Sequence, residues 1–199
     1  MRDVLSRVTG LIALVSALAL ASIFFIPDED TAEFMLIFAP LLSVSLIPAM
    51  HRTLKTHKPT GSLISLLIGI TGISLLIGNY LLGMTSSAAG TSQFVLRLIP
   101  IITIVSLVLV GVWIIGVNLL TIQTKVLPAV LASIGILMGI GWILVTTILM
   151  ITSITGLDLM LYPAASVVNV TALIIMLAGY FIWALGTGFY FVTGRVSPA

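Results

Sequence analysis

The stretch that decides the fold is residues 94–120, FVLRLIPIITIVSLVLVGVWIIGVNLL, in which Arg97 is the only charged residue. The hydrocarbon core of a bilayer is about 30 Å thick, and roughly 20 apolar residues in an α-helix cross it. The stretch is longer than this requirement, and it lacks the charged face that a surface helix of a soluble domain carries. It therefore predicts a transmembrane helix.

The composition of the whole chain agrees with this local signal. Hydrophobic residues make up 60% of the 199 residues and charged residues only 7%, whereas soluble domains carry about 25% charged residues. The chain has no cysteine, which excludes a disulfide scaffold, a cysteine zinc site and a thiol enzyme. We therefore expect an integral membrane protein.

Six stretches are long and apolar enough to cross a bilayer. They are residues 8–26, 34–50, 62–82, 94–120, 128–152 and 164–192. The second is the shortest and contains Pro40 and Pro48, which membrane helices tolerate because neighbouring helices satisfy the freed carbonyl groups. The loops are too short to form a separate domain. The sequence predicts an all-α fold in which residues 1–199 form one bundle of six transmembrane helices.

The distribution of charge predicts the orientation. If the N-terminus is cytoplasmic, seven of the eight basic residues lie in the inner segments, namely Arg2, Arg7, Arg52, Lys55, Lys58, Lys125 and Arg195. Five of the six acidic residues then lie outside, namely Asp28, Glu29, Asp30, Glu33 and Asp158. Basic residues favour the cytoplasmic side of membrane proteins. We therefore expect both termini to be cytoplasmic and the protein to lie in the cell inner (plasma) membrane.

Small residues at a spacing of four predict the packing of the helices, because they let two membrane helices approach closely. The third span repeats the unit SLLIG, with small residues first at Ser65 and Gly69 and then at Ser74 and Gly78. The units are nine residues apart, so they lie on opposite faces, and we expect close neighbours on both sides of this helix. The fifth span has a GxxxG step at Gly135 and Gly139.

The middle of the predicted spans contains no Asp, Glu, Lys or His. A proton-coupled pump requires a titrating relay there, a retinal protein a lysine and a b-type haem protein an axial histidine. The HExxH motif of zinc proteases is also missing. His51 and His57 both fall in a loop and are not spaced as a helical metal pair. We expect a non-enzymatic protein with no metal site and no cofactor.

Polar residues gather toward the outer ends of the spans. This candidate polar pocket comprises Asn79, Tyr80, Arg97, Asp158, Tyr162 and Asn169. One interpretation is an outward-facing site closed by Arg97 paired with Asp158 or Glu33, which receives the headgroup of an amphipathic molecule. The other is that Arg97 extends its guanidinium group to the interface and that Asn79, Tyr80 and Tyr162 are ordinary interfacial anchors.

Residues 47–54, IPAMHRTL, are followed by a short polar loop and by a glycine-rich helix with Gly69-Ile-Thr-Gly72. Over about the first half of the chain, this arrangement resembles small six-helix bacterial and archaeal membrane proteins whose activity is not established. The resemblance implies a free-standing prokaryotic inner-membrane protein. It implies no site residue.

These observations favour a non-catalytic membrane protein that binds a hydrophobic ligand or supports a partner complex. The alternative is a small transporter or channel, since Pro40 and Pro100 would loosen the outer halves of their helices. The expected partners are membrane lipids and either further copies of the chain or another membrane protein. Nucleic acid is not expected, because the basic residues serve orientation and contact with anionic lipid.

Overall fold

The computed structural model describes residues 2–22, 43–86, 93–156 and 161–194. These residues form six α-helices, and no β-strand occurs among them. The helices are α1 (Arg2–Ser22), α2 (Leu46–Leu54, preceded by a 3₁₀ turn at Ser43–Ser45), α3 (Pro59–Ser86), α4 (Gln93–Thr124), α5 (Ala129–Thr155) and α6 (Pro163–Val192). The predicted all-helical fold is confirmed.

Four of these helices are long and apolar enough to cross a membrane. The qualifying segments of α3 to α6 are Pro59–Leu82, Leu98–Thr124, Ala129–Thr155 and Pro163–Val192, with mean hydropathies of 2.0, 2.8, 2.4 and 2.1. The apolar part of α1 is the shorter segment Ser6–Ala19. Length and composition therefore indicate a membrane protein with at least four candidate spans in the described part of the chain.

The observed helices extend beyond most of the predicted spans. The predicted span 62–82 lies inside Pro59–Ser86, and 94–120 lies inside Gln93–Thr124. The apolar run locates the hydrocarbon-crossing part of a helix, whereas backbone hydrogen bonding continues into polar flanks. Most of the predicted second span falls outside the described residues. In its described part the helix begins only at Leu46 and continues beyond residue 50 to Leu54.

Local chemistry explains where several helices begin and end. Pro128 is the N-cap of α5 and Pro163 is the first residue of α6, positions at which the missing N–H of proline costs no helical hydrogen bond. At the other end of α5, Gly156 has a left-handed φ of 67°, and its N–H donates to the Thr152 carbonyl at 3.0 Å. Glycine adopts this conformation without steric cost.

The helices pack in a closed order. Helix α3 packs along α4, α4 along α5, α5 along α6 and α6 along α1. The short helix α2 contacts α1, α3 and α4 and so completes the circle. Its apolar face is fully enclosed, because Leu46, Ile47, Met50 and Leu54 are at most 1% exposed. Helix α2 therefore fills the gap between the first and third helices at one end of the bundle.

Consecutive long helices are antiparallel, and α1 is antiparallel to α6. The Ser6 hydroxyl donates to the Phe191 carbonyl at 3.4 Å, so α1 begins where α6 ends. We call this end the basic end, because six basic residues of the described chain belong to it: Arg2, Arg7, Arg52, Lys55, Lys58 and Lys125. Among the described residues, the remaining basic position, Arg97, lies in the first turn of α4 at the opposite end.

Glycine allows the helix backbones to touch at three seams. A Cβ on Gly10 would lie 2.6 Å from the Gly188 carbonyl oxygen of α6. A Cβ on Gly139 would lie 3.0 Å from the carbonyl oxygen of Gly111 on α4, and one on Gly141 only 2.8 Å from the carbonyl oxygen of Ala172 on α6. Helix α5 thus presents glycine to both of its neighbours, Gly139 to α4 and Gly141 to α6.

The residues predicted for helix packing are placed as follows. Gly135 and Gly139 face α4, where added Cβ atoms would meet Asn118 and Ile115, and Ser65 and Gly69 are buried. Ser74 and Gly78, by contrast, are exposed, and a Cβ on Gly78 would meet nothing within 4 Å. The expected neighbour on this second face is therefore missing from the described chain.

The seams predict that Gly141→Ala destabilises the bundle. The new Cβ would press on backbone atoms of α6, which cannot rotate away as a side chain does, so we expect a loss of about 1–3 kcal/mol in the free energy of unfolding. Gly116→Ala is the matched control, since a Cβ there meets nothing within 4 Å. Unfolding in mixed micelles, followed by tryptophan fluorescence, measures both variants. Equal stability of the two would contradict the assignment of the seam.

Candidate functional site

All three tryptophans of the chain line one cavity inside the bundle. The cavity has a volume of about 30 Å³. Its described lining is Ile47 from α2, Ile73 from α3, Val110, Trp113 and Ile114 from α4, Met138 and Trp142 from α5, and Tyr180 and Trp183 from α6. Tryptophan in membrane proteins is usually enriched at the two interfaces. Its convergence inside this bundle is therefore a specific feature, which we call the aromatic cavity.

Small residues on the facing helices make room for the indole rings. A Cβ on Gly69 of α3 would lie only 2.8 Å from the Cδ1 atom of Trp113. Trp113 in turn meets Trp183 edge to face, with ring centroids 6.5 Å apart and planes at 89°. This T-shaped arrangement places the positive edge of one ring against the negative face of the other. The aromatic cavity is therefore built by complementary side-chain sizes on three helices.

A buried amide fixes the position of Trp183. The indole N–H of Trp183 donates to the Asn118 Oδ1 atom at 2.9 Å, and the Asn118 Nδ2 atom donates to the Ile114 carbonyl at 2.8 Å. Asn118 is fully buried, and Gly135 of α5 lies against its side chain. A buried amide without partners is costly. The bond to Ile114 lies within α4, and the bond to Trp183 holds α4 and α6 in a defined relation.

The first helix reaches the cavity through Tyr180. The Ser16 hydroxyl of α1 is hydrogen-bonded to the Tyr180 hydroxyl of α6, and both residues are buried. Because the ring of Tyr180 lines the cavity, each of the six helices either lines the aromatic cavity or holds a side chain that does. The cavity is thus the point at which the described helices converge.

The chemistry available in the aromatic cavity is that of an apolar binding site. Its described lining contains no carboxylate, amine or imidazole. The volume would hold about two or three water molecules, since each needs about 10–15 Å³, but apolar cavities stay dry. The Trp142 Nε1 atom is buried and has no hydrogen-bond partner among the described residues. The cavity suits a slender apolar group.

The described residues of the candidate polar pocket are distributed over α3, α4 and α6. Asn79 of α3 is buried and donates from Nδ2 to the Thr103 hydroxyl of α4 at 2.7 Å. Tyr80 is exposed, and Tyr162 is exposed at the N-cap of α6. Asn169 is half-buried on α6, and α3 and α6 are not among the helix pairs that pack along each other. The side chain of Arg97 and the whole of Asp158 lie outside the described residues.

Sequence reasoning did not identify Trp113, Trp142 or Asn118 as site residues. Trp142 lies near the middle of α5 rather than at an end, and Asn118 is an amide inside an apolar run. A tryptophan in the middle of a span differs from the usual interfacial placement, and this can be recognised in the sequence. The sequence does not show that side chains from three helices meet, since that depends on which faces of the helices pack together.

Comparison of the chain with known protein families, with curated proteins and with solved structures finds no match. The resemblance to small six-helix prokaryotic membrane proteins therefore supplies no site residue. The function is inferred from the geometry of the bundle.

The Asn118–Trp183 hydrogen bond predicts a measurable coupling between α4 and α6. Asn118→Leu and Trp183→Phe should each destabilise the bundle, and the double variant should lose less than the sum of the two. Hydrogen bonds between membrane helices give coupling energies of about 0.6 kcal/mol on average and about 1.7 kcal/mol at most. A double-mutant cycle on the free energy of unfolding measures this coupling. A coupling of zero would show that the bond does not contribute to stability.

Proposed function

We propose that this chain is a non-catalytic, multi-pass integral membrane protein that binds a slender apolar ligand, the end of a lipid hydrocarbon chain, in the aromatic cavity. The observation that carries the proposal is the convergence of all three tryptophans on that cavity. Aromatic and aliphatic walls with few polar groups are typical of sites for apolar ligands. In a bilayer, lipid chains are always present at high concentration.

The size of the cavity limits the ligand. A volume of about 30 Å³ excludes a whole lipid or a fused-ring molecule unless the lining moves. The end of an unbranched hydrocarbon chain needs the least displacement. Met138 is part of the lining, and methionine adapts its shape readily because it has three rotatable bonds. The ligand class that fits best is therefore a single chain end.

The transporter or channel alternative gains no support from the described residues. A conduction path requires a polar-lined cavity that reaches the middle of the membrane, whereas the cavity found there is apolar. Several hydroxyls near it are bonded to carbonyls of their own helices, as Thr146 is to Trp142 and Thr121 is to Asn118. These hydroxyls donate to backbone carbonyls, so their protons are not directed into a conduction path.

The proposal includes six spans with both ends of the chain on the cytoplasmic side. Its support is the basic end, which gathers Arg2, Arg7, Arg52, Lys55, Lys58 and Lys125. Basic residues next to spans are held on the cytoplasmic side. Ser6, near the start of α1, contacts Phe191, near the end of α6. The first residues of the first described helix and the last residues of the last one therefore lie at that same end. The protein would lie in the inner membrane of a prokaryotic cell.

Ligand occupancy of the aromatic cavity is tested by quenching of tryptophan fluorescence with lipids that are brominated near the chain end. We expect Val110→Ile, which adds one methylene to the cavity wall, to reduce this quenching by at least half. Val112→Ile is the matched control, because it makes the same addition on a neighbouring side chain that is 40% exposed. It should leave quenching unchanged.

Two results would contradict ligand binding in the cavity. One is equal quenching in the Val110→Ile and Val112→Ile variants. The other is a rise in the free energy of unfolding of Val110→Ile by about 1 kcal/mol with no change in quenching, which is the signature of filling an empty cavity. Both variants keep all three tryptophans, so the signal is comparable between them.

The orientation is tested with single cysteines, since the chain has none of its own. A membrane-impermeant maleimide should label Leu161→Cys in intact cells, because Leu161 is 79% exposed at the end opposite the basic end. It should label Lys55→Cys, which is exposed in the turn after α2, only after the cells are permeabilised. Labelling of Lys55→Cys in intact cells would reverse the proposed orientation.

A further inference from the structure

A second cavity lies at the turn that joins α4 to α5, at the basic end. It is open to the outside and has a volume of about 480 Å³. Its described lining is Ile122, Lys125, Val126, Leu127, Pro128, Ala129 and Tyr190. The cavity combines an amine and a phenol with five apolar side chains. It is therefore amphipathic, unlike the aromatic cavity.

Lys125 occupies this turn in an unusual backbone conformation. Its φ is 56°, and among the described residues it is the only non-glycine residue with a positive φ. Side chains in the left-handed region cost about 1–3 kcal/mol and persist where the surrounding structure enforces them. Val126 and Leu127, which follow, are buried and fix the turn. Glycine would adopt this conformation without strain.

The charge around the cavity favours an anion. Lys125 lines it, and no acidic side chain is present in its described lining. The other basic residues of this end add to the positive potential and outnumber Asp3, which lies at the same end and is the only acidic residue of the described chain. Each lysine near an anionic membrane surface contributes about 1 kcal/mol of attraction. An ammonium group and a hydroxyl are both suitable donors to phosphate oxygens.

The apolar part of the lining further limits which anion can be the ligand. Ile122 is exposed, and Pro128 and Tyr190 are half-buried, so hydrocarbon surface borders the charged side chain. A free inorganic anion gains nothing from such surface, whereas the glycerol and first methylenes of a lipid do. The position of the cavity at the end of two candidate spans is also where lipid headgroups lie in a bilayer.

We propose that this cavity binds the phosphate headgroup of an anionic phospholipid, with Lys125 and the Tyr190 hydroxyl as donors. The first turn of α5, which starts at Ala129 in the lining, adds the positive end of a helix dipole. The site is separate from the aromatic cavity. It depends on the chain lying in a membrane but not on any ligand of that cavity.

The proposal is tested by native mass spectrometry of the full chain in detergent, incubated with phosphatidylglycerol and phosphatidylcholine of identical chains. The wild-type protein should retain phosphatidylglycerol preferentially. Lys125→Gly should lose about tenfold of this preference, which corresponds to about 1.4 kcal/mol, near the low end for a hydrogen bond to a charged group. It should be at least as stable as the wild type, because it relieves the strained φ. Lys125→Arg should keep the preference.

The matched control is Lys55→Gln, which removes one positive charge from an exposed turn at the same end but not from the cavity. It should keep the preference for phosphatidylglycerol, whereas Lys125→Gln should lose it. Equal losses in these two variants would show a general effect of charge and overturn the site. Displacement of the lipid by millimolar inorganic phosphate would show a free-anion site and overturn the lipid assignment.

Tyr190→Phe should weaken retention of phosphatidylglycerol more than twofold. If this variant retains the lipid as the wild type does, the Tyr190 hydroxyl is not a donor in the site.

Discussion

The bundle depends on the close approach of helix backbones at glycine. Inside a bilayer no hydrophobic gain drives helices together, because lipid chains are as apolar as leucine, and association relies on packing and hydrogen bonds. Gly10 against Gly188 joins the first helix to the last, and Gly139 and Gly141 join α5 to both of its neighbours. At these contacts any side chain would meet backbone atoms, so the seams fix the positions of α1, α4, α5 and α6 within narrow limits.

The aromatic cavity is a consequence of these seams. Where glycine brings two backbones together, large side chains on the same helices must lie above or below the contact. Gly69 accommodates Trp113, and Gly135 accommodates Asn118, whose amide then accepts the indole N–H of Trp183. The rigid rings come from three helices and leave a small space between them. Flexible aliphatic side chains in the same positions would fill that space. The same alternation of small and large residues therefore creates both the tight seams and the cavity.

Apolar length and charge placement predicted the parts of the structure that depend on the chain alone. A run such as 94–120 has to be a helix in a bilayer because its backbone groups need partners within the segment. The neighbours of each helix were not predictable in the same way. The SLLIG repeat is symmetric in sequence, yet Gly69 lies against Trp113 and Gly78 is exposed. The repeat alone does not predict which face of α3 packs against another helix. The cavity was missed because it depends on the same contacts between helix faces.

The two cavities differ in their chemistry: the one inside the bundle is apolar, and the one at the basic end is amphipathic. In the centre, the buried polar groups of Asn118, Ser16 and Thr146 are engaged in hydrogen bonds, and the described lining of the aromatic cavity carries no carboxylate, amine or imidazole. Charge is concentrated instead at the basic end, where Lys125 lies beside exposed hydrocarbon. A group buried in hydrocarbon is selected by shape, since few polar contacts are available to it, whereas a headgroup at the surface is selected by charge. A membrane protein with so few charged residues can therefore still distinguish lipids, provided that selection by charge takes place where the chain meets water.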